Sequence, residues 1–342
     1  MKHGGLTKFS LQNLLGPIAV LIIMTYFLNR ASTSLQLMTQ FAICSFMMVL
    51  ALQVFVGNSG VLSFGHGSFA LLGSYVSGML TAPTNIKSHA LALNQLWHFL
   101  IPLKTNIYVG LVISALVSGV IAALTGLLLM RLNGLAAGIA TFALLGVTYN
   151  IFFNNKQLGP GSQALPAVPT ITNTYILLIL ALAAIVIVYL FNISRSGRSL
   201  RATREDPMAA PALGISIFKV RLIAFTFSGL LAGLAGGMYV HVAGTFQVQD
   251  YYLEFTFMTL SMLIVGGSAS IWGAVVGTIL ITGVGQILLM MEQHLPIFGV
   301  TIGIPLGSRA VIIAITFVAM LLWRSSGVTN GREFSLPRFK RS

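Results

Sequence analysis

The chain has 342 residues, of which only 7% are charged and 56% are hydrophobic, and its formal net charge at pH 7 is +13. Soluble domains carry about 25% charged residues, so this composition excludes a soluble protein. A bilayer core about 30 Å thick needs some 20 apolar residues per helix, which gives this chain roughly eight to ten spans. Little sequence remains for a soluble catalytic domain.

Ten apolar runs predict an all-α, polytopic membrane protein that forms a single permease domain over residues 1–342. In chain order the runs cover about 14–28, 35–56, 64–80, 107–130, 132–153, 174–193, 222–242, 255–265, 271–291 and 310–323. The runs 255–265 and 310–323 are shorter than a usual membrane span. Eight spans remain if neither of them crosses the bilayer.

The basic residues predict the orientation of these spans, because loops rich in Lys and Arg stay in the cytoplasm. With ten spans and an internal N-terminus, fourteen of the 19 basic residues lie on the inner side and five on the outer side. Both termini, the segment 194–221 and the basic tail 324–342 are therefore predicted to be cytoplasmic. The positive charge is explained by topology, and no nucleic-acid partner is expected.

Two segments rich in Gly and Ser predict broken helices, near residues 57–67 and 266–273. Backbone groups freed by such breaks must line a cavity or pack inside the protein. One interpretation is a translocation path, and the alternative is close helix packing by small residues. The candidate path residues are Gly60, Ser63, His66, Ser68, Ser268 and Ser270.

A third glycine pattern lies in the seventh span. Gly229, Gly233 and Gly237 recur every four residues and so form one smooth stripe on a helix. Such a stripe allows two membrane helices to approach closely. It predicts a helix-packing face.

The sequence disfavours an intramembrane enzyme. Gly57-Asn58-Ser59-Gly60 and the distant His241 resemble the motifs of a rhomboid-type serine protease. A nucleophile and its base must lie about 3 Å apart, whereas the predicted topology places Ser59 and His241 at opposite ends of their spans. We therefore expect no catalytic residue, no metal site and no cofactor.

The source of energy for transport is also constrained by the sequence. Ion-coupled transporters keep ionisable groups inside the membrane, and no acidic residue lies deep in any predicted span. The chain contains no Gly-Lys pair and hence no phosphate-binding loop of the G-x-x-x-x-G-K-[ST] type. ATP hydrolysis would have to come from partner subunits.

The segment 194–221 contains a predicted helix. Asp206 and Pro207 suit the cap and first position of a helix that continues to Leu213, where Gly214 ends it with a positive φ. Arginines recur every third residue just before this helix. A capped helix at the membrane face predicts a docking site.

Three motifs carry a resemblance to a known family. They are GNSGVLSFGHGSFALLGSY at 57–75, RATREDPMAAPALGISIFKVRLIAFTFSGLLAGLAGGMY at 201–239 and IVGGSASIWGAVVG at 264–277. Together with the span pattern, they resemble the branched-chain amino-acid permease family of ATP-binding-cassette importers, the LivM type of membrane subunit. The second motif is similar to the cytoplasmic coupling motif of such importers, in which an Ala-Ala pair precedes a Gly by four positions.

The resemblance implies that 194–221 is a cytoplasmic coupling segment that contacts an ATPase. Met208 stands where many importers have an acidic residue, and Glu205 or Asp206 would replace that charge from the preceding turn. The implied coupling residues are Arg201, Arg204, Glu205, Asp206, Ala209, Ala210, Leu213 and Gly214.

The resemblance also implies partners and a location. The expected partners are a second related permease, two cytoplasmic ATPase subunits, an external substrate-binding protein and membrane lipid, in a bacterial inner membrane. The expected cargo is a branched-chain or related amino acid, an amide or urea. The remaining alternative is a stand-alone facilitator or channel for small polar solutes, which has no need of a capped helix before Gly214.

Overall fold

The computed structural model describes residues 11–89, 93, 95–293, 303–323 and 326–331, so most of the predicted basic tail lies outside the described residues. The described regular structure is helical, apart from one isolated antiparallel bridge between Leu165 and Phe246. The helices are α1 Leu11–Ala31, α2 Thr33–Leu52, α3 His66–Thr81, α4 Thr84–His89, α5 Ile107–Leu129, α6 Gly134–Asn154, α7 Thr174–Ile193, α8 Arg195–Glu205, α9 Ile217–Ala243, α10 Leu253–Gly266, α11 Ile271–Glu292 and α12 Ser308–Trp323. The all-α prediction is confirmed.

Each of the ten predicted spans corresponds to one of these helices, and α4 and α8 are additional. Six described helical segments are long and apolar enough to cross a membrane, namely 33–57, 107–129, 134–154, 174–193, 217–243 and 271–292. The two short runs of the sequence form α10 and α12, of 14 and 16 residues.

One end of the bundle brings together loops that are far apart in the sequence. The Arg204 guanidinium donates a hydrogen bond to the carbonyl oxygen of Gly57. A Cβ atom on Gly57 would overlap the carbonyl oxygen of Ser268. The Thr329 hydroxyl, beyond α12, donates to the Gly266 carbonyl oxygen at 2.7 Å. The chain therefore returns to this end after α2, α7, α10 and α12.

The opposite end collects the other connections. The Gln40 amide donates to the Thr174 hydroxyl at 3.0 Å, which joins the start of α2 to the start of α7. The backbone N–H of Leu165 donates to the Phe246 carbonyl at 2.8 Å, across the loops that follow α6 and α9. Glu292 accepts a bond from the N–H of Arg309 at 2.7 Å. Successive long helices thus alternate in direction, as the ten-span pattern requires.

The centre of the bundle is α9, which makes its most extensive contacts with α3 and α5. The predicted glycine stripe forms the contact with α5. A Cβ on Gly229 would overlap that of Ala122, one on Gly233 would overlap Ser118, and one on Gly237 would lie 2.7 Å from the Ser114 hydroxyl.

The first predicted break lies between α2 and α3. The α2 helix ends in a π-helical turn over Gln53–Gly57, and Gly60 has a φ of +71°. The first residue of α3, His66, contacts Ser228, which lies eleven residues and about 16 Å along α9. Residues 60–65 therefore enter the bundle as irregular backbone, which a membrane protein tolerates where protein surrounds it.

The second predicted break is the tight connection between α10 and α11. Gly267 has a φ of +117°, a backbone conformation that favours glycine. The Ser270 hydroxyl caps α11 by accepting the N–H of Gly273 at 2.8 Å. Both breaks are thus located between consecutive helices.

Candidate functional site

The predicted coupling segment consists of a helix followed by a tighter turn. The α8 helix is capped by Ser194, whose hydroxyl accepts the N–H of Gly197 at 3.2 Å. Asp206 then accepts the N–H groups of Met208 and Ala209, each at 2.9 Å. A 3₁₀ turn follows over Ala210–Leu213.

The predicted helix from Pro207 to Leu213 is therefore present only as a 3₁₀ turn over Ala210–Leu213, and the α-helix of this segment, α8, precedes Asp206. Pro211 has no N–H to donate to the carbonyl four residues before it, so an α-helix does not extend through this stretch. The predicted end of the segment is confirmed, because Gly214 has a φ of +74°.

Two arginines hold α8 against the first break. Arg201 donates to the Asn58 side-chain oxygen at 3.0 Å and to the Asn192 carbonyl at 2.7 Å. The Asn58 amide in turn donates to the Asn192 side-chain oxygen at 2.9 Å. With the Arg204 to Gly57 bond, these contacts form what we call the α8 anchor, which consists of Gly57, Asn58, Asn192, Arg201 and Arg204.

The α8 anchor joins three parts of the predicted site. Asn58 and Asn192 are fully buried, and an arginine that donates to two oxygens in fixed directions restrains the orientation of α8. Because Gly57 also abuts Ser268, the second break lies beside the same contact. A displacement of α8 would therefore be transmitted to both breaks.

The residues beyond α8 present apolar side chains to the outside of the bundle. Met208 is 87% exposed and Leu213 is 76% exposed. Glu205, Asp206, Ala209 and Gly214 are also exposed, whereas Ala210 is buried. Apolar side chains that are exposed outside the long apolar helices form a candidate contact surface for another protein.

Two predicted path residues, Ser63 and His66, form a hydrogen-bonded cluster inside the bundle. His66 lies 3.0 Å from the Ser63 hydroxyl through Nδ1 and 2.9 Å from the Ser228 hydroxyl through Nε2. Ser228 already donates its hydrogen to the Phe225 carbonyl, so His66 Nε2 donates and Nδ1 accepts from Ser63. All of these bonds satisfy buried polar groups and connect α3 to α9.

The structure does not bring the remaining path residues together. Ser68 is buried, and its hydroxyl has no partner among the described residues. Ser270 is buried as the cap of α11, Ser268 is half-buried, and Gly60 lies exposed beside the Arg204 side chain. A path through these residues stays a prediction, and their contacts are those of helix packing and capping.

Ser59 and His241 have separate partners. The Ser59 hydroxyl accepts the N–H of Val61 at 3.2 Å. His241 lies 2.7 Å from the Pro169 carbonyl through Nδ1 and 2.8 Å from the Ser77 hydroxyl through Nε2. Within the described residues, no group of three or more His, Cys, Asp or Glu is placed to hold a metal ion.

Three residues of this candidate site could not be predicted, or were predicted incompletely, from the sequence. Asn58 and Asn192 each end an apolar run, and a polar side chain in such a position requires a partner. That signal was available, although it does not identify Arg201 as the partner. In the sequence, Met208 is distinguished only by the absence of an acidic side chain. In the structure, its apolar side chain is almost fully exposed.

The structure is a bundle of apolar helices that alternate in direction, with α8 anchored at one end. This is the architecture of a polytopic membrane protein. The chain belongs to the family described as the branched-chain amino acid transport system permease component, which matches residues 33–321. Membership implies that ATPase and other subunits are partners.

Individual relatives agree with this assignment. The chain is 23% identical to the high-affinity branched-chain amino acid transport system permease protein LivM of Salmonella typhimurium, over 92% of this chain and 74% of the relative. It is 25% identical to LivH of the same organism, over 77% of this chain and 86% of the relative. It is 30% identical to the guanosine transporter permease protein NupQ of Bacillus subtilis, over 43% of this chain and 46% of the relative. No solved structure matches the chain.

Proposed function

We propose that this chain is the membrane-spanning subunit of an ATP-driven importer, and that cytoplasmic ATPase subunits dock on the segment 194–221. The observation that carries the proposal is the α8 anchor beside the exposed side chains of Met208 and Leu213. Met208 and Leu213 provide an apolar contact surface, and the α8 anchor holds the preceding helix to the bundle. A stand-alone facilitator has no use for such a surface.

The proposed assembly contains two permeases, two ATPases and an external substrate-binding protein. Support for two different permeases comes from Salmonella typhimurium, since both its LivM and its LivH are relatives of this chain. The excess of basic residues beside α8 supports a cytoplasmic position for this end of the bundle and for both termini. The proposed location is the bacterial inner membrane.

The proposed cargo is a branched-chain or related amino acid, on the strength of the relatives named for such transport. A relative named for guanosine shows that the family is not limited to amino acids. The test is uptake of radiolabelled leucine into cells that express the complete importer, with unlabelled isoleucine, valine and guanosine as competitors. Absence of leucine uptake, with uptake of radiolabelled guanosine by the same cells, would reject the amino-acid assignment.

The docking proposal is tested at the two exposed side chains. Met208→Asp and Leu213→Asp place a charge on an apolar contact surface, so we expect loss of uptake and of ATPase copurification at normal chain abundance. Met208→Leu and Leu213→Met retain the apolar character and are the matched controls. Full uptake and copurification in both Asp variants would reject docking at this surface, and a wild-type chain that transports with no copurifying ATPase would favour a facilitator.

A further inference from the structure

A groove on the membrane-facing side of the bundle lies between α5 and α9. The short side chains of Ala123 and Thr226 leave a depression between longer neighbours. The other residues that line it are Leu124, Leu127, Leu222, Ile223, Phe227 and Leu230. The lining is apolar apart from the Thr226 hydroxyl, and the groove extends over about 12 Å of α9, from 222 to 230.

Both walls of the groove lead to a basic residue at the same end. On α9, Lys219 precedes Ile223 by one turn and so continues the same face. On the other wall, Arg131 follows Leu127 by four residues, just beyond the end of α5. Both side chains are exposed, and neither forms an ion pair or a hydrogen bond with the described part of the chain.

The position of Arg131 is fixed by its surroundings. Its guanidinium lies over the ring of Phe218, 5.8 Å from the ring centre, and Phe218 precedes Lys219 in the first turn of α9. Arg221 holds the same loop to α9, because it donates to the Asn133 side-chain oxygen at 2.6 Å. The loop that carries Arg131 is therefore held against the first turns of α9, where Lys219 also lies.

We propose that this groove binds one anionic phospholipid, with an acyl chain between α5 and α9 and the phosphate between Arg131 and Lys219. An acyl chain complements the apolar lining, and two cations without acidic partners complement a phosphate. A zwitterionic lipid supplies the same acyl chain but carries a compensating ammonium group, so the site favours a lipid with net negative charge. The site does not include the exposed Met208 and Leu213, although Lys219 belongs to the segment 194–221, and it does not depend on the transported substrate.

The experiment uses the full chain with its copurifying subunits in detergent. Phosphatidylglycerol is expected to raise the midpoint of thermal unfolding and to remain bound in native mass spectra, whereas phosphatidylcholine is expected to do neither. The paired change Arg131→Gln with Lys219→Gln should abolish the shift and the retained lipid. Arg195→Gln with Arg198→Gln removes the same charge from exposed positions of α8 and should preserve both.

A second variant and a second probe separate the possible occupants. Ala123→Leu fills the floor of the groove without altering charge and is expected to weaken lipid retention. Inorganic phosphate is expected to produce no shift, since it lacks the acyl chain. Equal effects of the two lipids, a full shift with phosphate alone, or a cross-link from Leu124→Cys to another permease chain in the native membrane would each overturn the proposal.

Discussion

Gly236 on α9 shows how closely the central helices approach each other. A Cβ atom at this position would overlap the carbonyl oxygen of Ala70 on α3, and backbone does not move aside as a flexible side chain does. Gly146 on α6 is the matched control, since a Cβ there meets nothing within 4 Å. We expect Gly236→Ala to destabilise the fold by about 1–3 kcal/mol through overpacking.

Gly146→Ala is expected to be neutral or stabilising by up to about 1 kcal/mol, because alanine has the higher helix propensity. The measurement for both variants is thermal unfolding in detergent. Equal unfolding temperatures for the two variants would contradict the prediction. They would show that α3 and α9 can move apart to accommodate a methyl group at little cost in free energy.

The buried serines of the first break provide a second test at this scale. Ser63 and Ser68 are fully buried, so thiols placed there should not react with a water-soluble maleimide. The background carries Cys44→Ala, which removes the single native cysteine. We expect no labelling of Ser63→Cys or Ser68→Cys, with labelling of the exposed Ala212→Cys as the positive control.

Labelling of either serine position that appears only when the ATPase is trapped with nucleotide would contradict a pure packing role. It would instead support the predicted translocation path at these residues.

At the scale of the element, α8 depends on its anchor. Arg201→Met removes donors to Asn58 and to the Asn192 carbonyl and leaves buried acceptors without those bonds, a loss of about 1–3 kcal/mol. We expect faster hydrogen exchange of the α8 amides and reduced uptake. Arg198→Met is the matched control, because Arg198 is exposed on the same helix and its side chain has no described hydrogen bond.

Unchanged exchange in Arg201→Met would mean that α8 is held by its apolar contacts, principally by the buried Leu200. A similar increase in the hydrogen-exchange rate of the α8 amides in Arg198→Met would show that the loss of positive charge, and not the loss of the Arg201 hydrogen bonds, causes the faster exchange.

Local patterns predict some of these elements and not others. Apolar runs locate the ten long helices, because each span must bury about 20 residues in lipid. Asp206 and Gly214 also behave as their residue types indicate, with an Asx turn and a positive φ. Between them only a 3₁₀ turn forms, because Pro211 has no N–H to donate within an α-helix. The missing N–H of a single residue therefore limits this helical stretch to a tight turn.

Contacts between distant segments could not be predicted from the sequence. Arg201 and Asn58 are 143 residues apart, and His66 and Ser228 are 162 apart. Nothing in the spacing of Gly and Ser distinguishes a path from a packed interface, since both need small residues. The choice depends on which face of each helix meets α9, and that is a property of the assembled bundle.

At the scale of the whole molecule, the short helix α12 and the residues after it connect the two ends of α11. The N–H of Arg309 at the start of α12 bonds to Glu292 at the end of α11. At the other end, Val328 beyond α12 donates to the Val265 carbonyl of α10 at 2.7 Å, beside the start of α11. The α12 helix and the residues that follow it therefore connect the two ends of α11, which has 22 residues and is about 33 Å long, whereas α10, with 14 residues, is about 21 Å long and ends beside the start of α11. This supports ten crossings over eight.

The ten-crossing arrangement makes a definite topological prediction. Single cysteines at Lys156, Thr245, Ala212 and Ser326, all exposed, are introduced with Cys44→Ala. The first two lie at the end of the bundle opposite α8, and the last two at the end that contains α8 and the residues beyond α12. Because basic residues concentrate beside α8, we expect an impermeant thiol reagent to label 156 and 245 in intact cells and 212 and 326 only after permeabilisation. External labelling at 326 alone would show that α10 and α12 do not both cross, and external labelling at 212 would reverse the orientation of the whole chain.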